Sequence, residues 1–170
     1  MQSADMALLR VARTATHTPE RERAVARFSE LGQHAAIWLA LGAAASILAP
    51  AERRGRWRTA TATVAGAYLF NTALKFAVRR PRPQLPDLPP LSGTPTQLSF
   101  PSAHATSSFA AARAFADAGA PALPLYLLAS ALAASRVYLG VHYPSDVLAG
   151  AVLGSAIGAL PRGRAAAAAR

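Results

Sequence analysis

The chain contains no cysteine, which excludes a disulfide framework, a thiolate nucleophile and any zinc site with sulfur ligands. Acidic residues are scarce, 8 against 18 basic ones for a net charge of +10, and charged residues make up only 15% of the sequence. Only one of the 18 basic residues, Lys75, is lysine. With 52% hydrophobic residues and a mean hydropathy of +0.22, an intrinsically disordered chain is excluded and an ordinary soluble surface is hard to cover. A length of 170 residues leaves room for one domain and no separate regulatory module.

The positive charge is not spread as a nucleic-acid-binding face. It falls in short clusters between uncharged stretches: Arg53, Arg54, Arg56 and Arg58, then Arg79, Arg80 and Arg82, then Arg162, Arg164 and Arg170. Such clusters are the pattern of membrane loops, so the expected partner is a bilayer and not nucleic acid. The sequence therefore predicts an all-α, integral-membrane helical bundle with about five spanning helices and an N-terminal amphipathic helix.

Residues 1–30 read as an interfacial amphipathic segment with Met6, Leu8, Leu9, Val11, Val25, Phe28 and Leu31 along one side, without a secretory cleavage pattern and with no sign of chemistry. Residues 31–161 form the membrane-embedded domain and 162–170 a basic tail. Within the domain, residues 31–50 are uncharged and end at Pro50, matching the roughly 20 residues a span needs. A second span covers 59–78 and places Lys75 in its last turn. Seven of the 13 prolines follow between Pro81 and Pro101, a stretch that reads as a structured loop. A third helix starts at Ser102 and ends at Gly119, a fourth covers 118–135, and a fifth covers 147–161. Gly150, Gly154 and Gly158 recur every fourth residue and offer a flat face for close packing against a neighbouring helix.

If the helices alternate, the end of the second and fourth and the start of the third and fifth share one face. Lys75, Arg79, Arg80, Arg82, Ser102, His104, Ser135, Arg136, His142 and Asp146 all lie there. Lys75, Arg82 and Arg136 make a cationic clamp for an oxyanion, and the helix start at Ser102 adds free backbone N–H groups. Phosphate is the natural guest. His142 and Asp146 stand four apart, so a helix beginning near Tyr143-Pro144 lets Asp146 hold one ring nitrogen and aim the other at the ligand. His142 is then the nucleophile candidate and His104 the acid for the departing oxygen. A competing reading makes His104, His142 and Asp146 metal ligands, which three nearby cations oppose. His17 and His34 have no partners at meaningful spacing, and Arg79 and Arg80 serve as interfacial anchors or add positive potential.

Three blocks carry a resemblance: Lys75-FAVRRP-Arg82-Pro83, Pro101-Ser102-Ala103-His104, and Ser135-Arg136-VYLGV-His142-YPS-Asp146. Together they resemble the type 2 phosphatidic acid phosphatase superfamily. The resemblance implies a metal-independent lipid phosphatase without a cofactor, in which His142 forms a phosphohistidine, Asp146 orients it and His104 protonates the leaving group. It also implies that Lys75, Arg82, Ser102, Ala103 and Arg136 bind phosphate. Two departures stand out: Ala103 replaces the family's usual glycine, adding a methyl group and restricting φ, and five spans are counted where six are common.

The positive-inside tendency puts Arg53–Arg58 and the basic tail in the cytoplasm and the site outside it, in a plasma membrane crossed several times. A site at the interface suits a phosphate on a lipid, and short bacterial members of the family resemble enzymes acting on polyprenyl phosphates. Two alternatives remain open: a vanadate-dependent haloperoxidase built on the same anion pocket, and a non-catalytic lipid-phosphate-binding protein, for which Ala103 speaks.

Overall fold

A computed structural model describes residues 2–160 of the chain. The expected basic tail 162–170 and Pro161 lie outside the described residues. Among the described residues seven α-helices follow one another: α1 (Gln2–Thr14), α2 (Pro19–Glu30), α3 (Ala36–Leu48), α4 (Ala51–Val78), α5 (Ala103–Ala118), α6 (Ala122–Tyr138) and α7 (Pro144–Gly158), with a 3-10 turn over Gln33–Ala35. Among the described residues the only β-pairing is one isolated antiparallel bridge between Pro81 and Leu98.

Helix α5 is the central post, packed against α4, α6 and α7. Its alanines and serines are nearly all buried, because small side chains let three neighbours approach at once. The glycine stripe of α7 faces it: a Cβ at Gly150 would stand 2.7 Å from the Ser102 carbonyl, and one at Gly158 2.8 Å from that of Ala110. At the other side Trp38, Val64, Phe115 and Leu132 form the larger-residue core. The Trp38 indole N–H donates to Ser108 Oγ at 2.8 Å, which satisfies a buried polar group. Helix α5 starts at Ser102 and stops at Gly119, whose φ of 108° ends it in the left-handed region.

The proline-rich loop is tied at its base. Arg79 caps α4 with a φ of 57°. The chain beyond it pairs with 97–99 through Arg82 N–H to Gln97 O at 3.1 Å and Ser99 N–H to Arg80 O at 2.8 Å. This pairing brings Arg80 and Arg82 beside the start of α5.

Several sequence expectations need correction. The segment 1–30 is two helices, and the buried side of α1 is Asp5, Leu9 and Arg13, while Leu8 and Val11 point outward. Asp5 and Arg13 are buried because each finds partners, which offsets their desolvation. The arginines at 53–58 are not a loop but the first turns of α4, where their long side chains remain exposed. Helix α6 begins after Pro121 and runs to Tyr138, so Ser135 and Arg136 sit inside its last turn. The expected count of about five spanning helices is not among these corrections and is neither met nor contradicted: among the described residues no single helix is long and apolar enough to cross a membrane, and one pair, α2 with the segment Gln33–Leu48, meets that measure by length and composition only, across a 46° bend.

Candidate active site

The end of α4, the start of α5, the end of α6 and the approach to α7 converge around a cavity of about 70 Å³. Its wall includes Lys75, Arg82, Ala103, His104, Arg136 and His142, and from the other side Gly32, His34 and Tyr68. The volume admits a small polar group but not a lipid chain.

His142 lies in the short link between α6 and α7 and is almost completely buried. Its Nδ1 is 3.4 Å from Asp146 Oδ2, an ion-pair distance without hydrogen-bond alignment, so Nδ1 has no hydrogen-bond partner. On the other side Nε2 faces an Arg82 guanidinium nitrogen at 3.2 Å. Burial, followed by the charges of Arg82, Lys75 and Arg136, holds His142 well below the ordinary histidine range, which makes it neutral with a free nitrogen lone pair. A proton on Nδ1, toward Asp146, leaves Nε2 to accept from Arg82. Asp146 is fixed in turn: Oδ2 accepts from the Tyr143 N–H at 2.9 Å and Oδ1 from Arg80 at 2.7 Å.

Arg82 is anchored by its own backbone contacts, donating to Val141 O at 2.6 Å and to Thr96 O at 2.8 Å. Burial pushes its guanidinium down to about 10, so it remains a cation at neutral pH. Arg136 donates to Ser29 Oγ at 2.6 Å, while its Nε has no partner. Ser102 is wholly buried at the cap of α5 and its hydroxyl likewise has no partner. Such orphans are costly without a ligand. Both fit an oxyanion site, although Ser102 is not among the residues that line the cavity.

Lys75 answers why the chain keeps one lysine. Its ammonium donates to Leu98 O at 3.1 Å, Ser99 O at 3.1 Å and Pro101 O at 2.9 Å. All three donors are engaged by the segment leading into α5, a pyramidal arrangement that a planar guanidinium does not match. His104 touches the wall, and its Nε2 donates to Ser29 O at 3.0 Å.

Sequence reasoning missed the contribution of the N-terminal segment. Ser29 receives Arg136, Ser135 and His104. Gly32 lies against the His104 ring. His34, taken as partnerless, sits in the wall with Nδ1 2.6 Å from the Tyr68 hydroxyl. His17 is structural, stacked on Tyr138 and bonded to Glu22 and Ala12 O. Arg80, read as an anchor or a source of positive potential, is bonded to both Asp146 and Asp5. Helical periodicity gives no sign of these pairs, since all but the bonds of His17 to Glu22 and Ala12 join distant parts of the chain. The metal-ligand alternative finds no geometry here: among the described residues no three His, Asp or Glu side chains gather as an ion would require.

The family profile described as PAP2 superfamily matches residues 56–162, a range that holds every wall residue named from α4 onward. A curated relative from Mycolicibacterium smegmatis, a decaprenylphosphoryl-5-phosphoribose phosphatase, is 49% identical over 126 residues, covering 72% of this chain and 67% of its own. Among solved structures, that of Aquifex aeolicus LpxE superposes with a TM-score of 0.76 at 26% identity, over 90% of this chain and 91% of the other. The transmembrane PAP2-type phosphatidylglycerolphosphate phosphatase of Bacillus subtilis gives 0.70 at 25% identity, over 92% and 82%.

Proposed function

The chain belongs to the PAP2 superfamily, and from that premise we propose that it is a metal-independent phosphatase hydrolysing a phosphomonoester or diphosphate on a membrane lipid, foremost a polyprenyl-linked phosphate. The observation that carries the reading is the split environment of His142: Nε2 at the cavity, 3.2 Å from an Arg82 guanidinium nitrogen, and Asp146 behind Nδ1. That is the arrangement of an oriented nucleophile in an anion site.

In this reading Arg82 and Arg136 hold the phosphoryl oxygens, and the Ala103 backbone N–H adds a donor at the start of α5. His142 Nε2 attacks phosphorus as the bond to the leaving oxygen breaks, and protonated His104 delivers its proton to that oxygen, releasing the lipid alcohol. His104 then takes a proton from water as the water oxygen attacks phosphorus, the P–N bond breaks, and inorganic phosphate leaves. For either step His104 Nε2 turns from the Ser29 carbonyl toward the reacting oxygen, donating its proton in the first and accepting one in the second. Asp146 stabilises the positive charge that builds on His142.

The lipid assignment rests on three supports. The cavity takes only the phosphate, so the remainder of the substrate stays outside. Leu48, Leu123 and Val152, more than 70% exposed on α3, α6 and α7, give an apolar exterior suited to acyl or prenyl chains. The curated relative acts on a decaprenyl-linked substrate by its name. We place the protein in the plasma membrane with several crossings and with the site facing away from the cytoplasm.

The test is phosphate release from a panel of lipid phosphates by detergent-purified protein with excess chelator, beside His142→Ala. Chelator-resistant release that vanishes in the variant is the expected result. Equal release by both proteins, or release only with added metal, overturns the reading.

A further inference from the structure

The site reaches further than the cavity wall. Asp146, fully buried, divides its oxygens: Oδ2 faces His142, while Oδ1 accepts from one terminal nitrogen of Arg80 at 2.7 Å. That nitrogen also donates to Ser145 Oγ at 2.8 Å, and the other terminal nitrogen of Arg80 donates to Asp5 at 2.8 Å. The Arg80 guanidinium lies over the Tyr143 ring, 4.0 Å from its centre. Asp5, buried on α1, accepts the Ser145 N–H at 3.0 Å and the Ser145 hydroxyl. It therefore caps an orphan N–H in the first turn of α7 while gripping Arg80 from the far side.

We propose that Arg80 and Asp5 are positioning residues for the reaction, acting through Asp146 on His142, so that helix α1 is a working part of the active site. The proposal rests on the phosphohistidine reading above. Arg80 fixes the carboxylate rotamer through Oδ1 and so keeps Oδ2 turned to the imidazole. Its charge alone would draw on Asp146 and weaken the carboxylate's hold on a positive His142. Asp5 balances that charge and holds the guanidinium in the plane that Asp146 requires. Neither residue touches the cavity, so neither contributes directly to phosphate binding.

The experiment measures kcat and KM for Arg80→Ala, Arg80→Lys and Asp5→Asn, each in the wild-type and in the Asp146→Asn background, with His142→Ala as control. Arg80→Ala should lower kcat by about 10- to 100-fold, the range typical of groups that orient a reacting ligand, and leave KM within about twofold. Arg80→Lys should restore part of the loss, and Asp5→Asn, which preserves shape, should lower kcat several-fold. In the Asp146→Asn background the same changes should cost almost nothing more, because the group they act through is gone. An unchanged kcat in folded Arg80→Ala and Asp5→Asn overturns the proposal. Equal losses in both backgrounds also overturn it, since they mark a purely structural role. If Arg80→Ala does not fold, the Asp5→Asn pair decides alone by the same comparison. Activity in His142→Ala overturns the function itself, a failure distinct from these.

Discussion

Arg136 donates to Ser29 Oγ at 2.6 Å across 107 residues of chain, and the same hydroxyl also receives Ser135. A cation on α6 is thus aimed by a serine of α2, in a segment that carries no motif. The Ser29 carbonyl takes His104, so one residue of α2 steadies both a phosphate-binding candidate and the acid candidate through different atoms.

Ser29→Ala separates those two duties. The carbonyl survives, so His104 keeps its partner, while Arg136 loses a bond to a charged group that is typically worth about 1.5–3 kcal/mol. The expected outcome is a fall in kcat/KM of about tenfold or more that appears mainly in KM, measured with a lipid phosphate at several concentrations. Wild-type KM in this variant would show that Arg136 is held by other means.

The residues that meet at the cavity were legible from the sequence, because Lys75, Arg82, His104, Arg136 and His142, with Asp146 behind His142, occur at rigid spacings near helix ends, and helix ends are where backbone donors and charges gather. The helical bundle was legible from uncharged runs, and the packing face of α7 from its three glycines. The supporting residues were not. Asp5 and Arg80 lie 75 residues apart and Asp5 and Ser145 140 apart, and hydrophobic patterning assigns charged residues to the outside. On α1 that rule inverts, since Asp5 and Arg13 are buried with partners and Leu8 is not. Helix boundaries also shifted where chain geometry overrode composition: the arginines at 53–58 continue α4 because nothing between Ala51 and Val78 breaks a helix.

Gly32→Ala probes how closely the 3-10 turn covers the acid candidate. A Cβ at Gly32 would stand 2.6 Å from His104 Cδ2 and 3.2 Å from Nε2, distances at which the ring must move. Because the ring is also hydrogen-bonded to Ser29, the displacement should cost that bond. Turnover should fall by about tenfold or more, the scale on which misplacement of a catalytic group acts, with thermal stability lowered only modestly. Unimpaired turnover would show that His104 does not need its observed position.

Acid stability should carry the signature of Asp5. Burial pushes its carboxyl up, but hydrogen bonds from Ser145 and Arg80 outweigh this and leave it below the ordinary 3.8. A carboxyl depressed on folding contributes stability that is fully present above its unfolded value and lost as the pH falls through the folded one. The unfolding temperature should therefore decline as the pH drops through about 4 and below, more steeply in wild type than in Asp5→Asn. Parallel declines in the two proteins would show that Asp5 contributes nothing to the acid limb.

Lys75→Arg should behave as a damaging change although it keeps the charge. The lysine ammonium is nearly buried and meets three carbonyls of the 98–101 segment, and a planar fork on a longer stem cannot satisfy all three from the same place. Carbonyls left unpaired in a buried site destabilise the segment that delivers Ser102 and Ala103 to the cavity. Both Lys75→Arg and Lys75→Ala are expected to lower kcat/KM by about tenfold or more, through displacement of the segment that leads into α5, and to unfold at lower temperature than wild type. Kinetics and thermal melts on the two variants decide the matter: an arginine that restores full activity would mean that charge at this position is sufficient and that the three-carbonyl grip is dispensable.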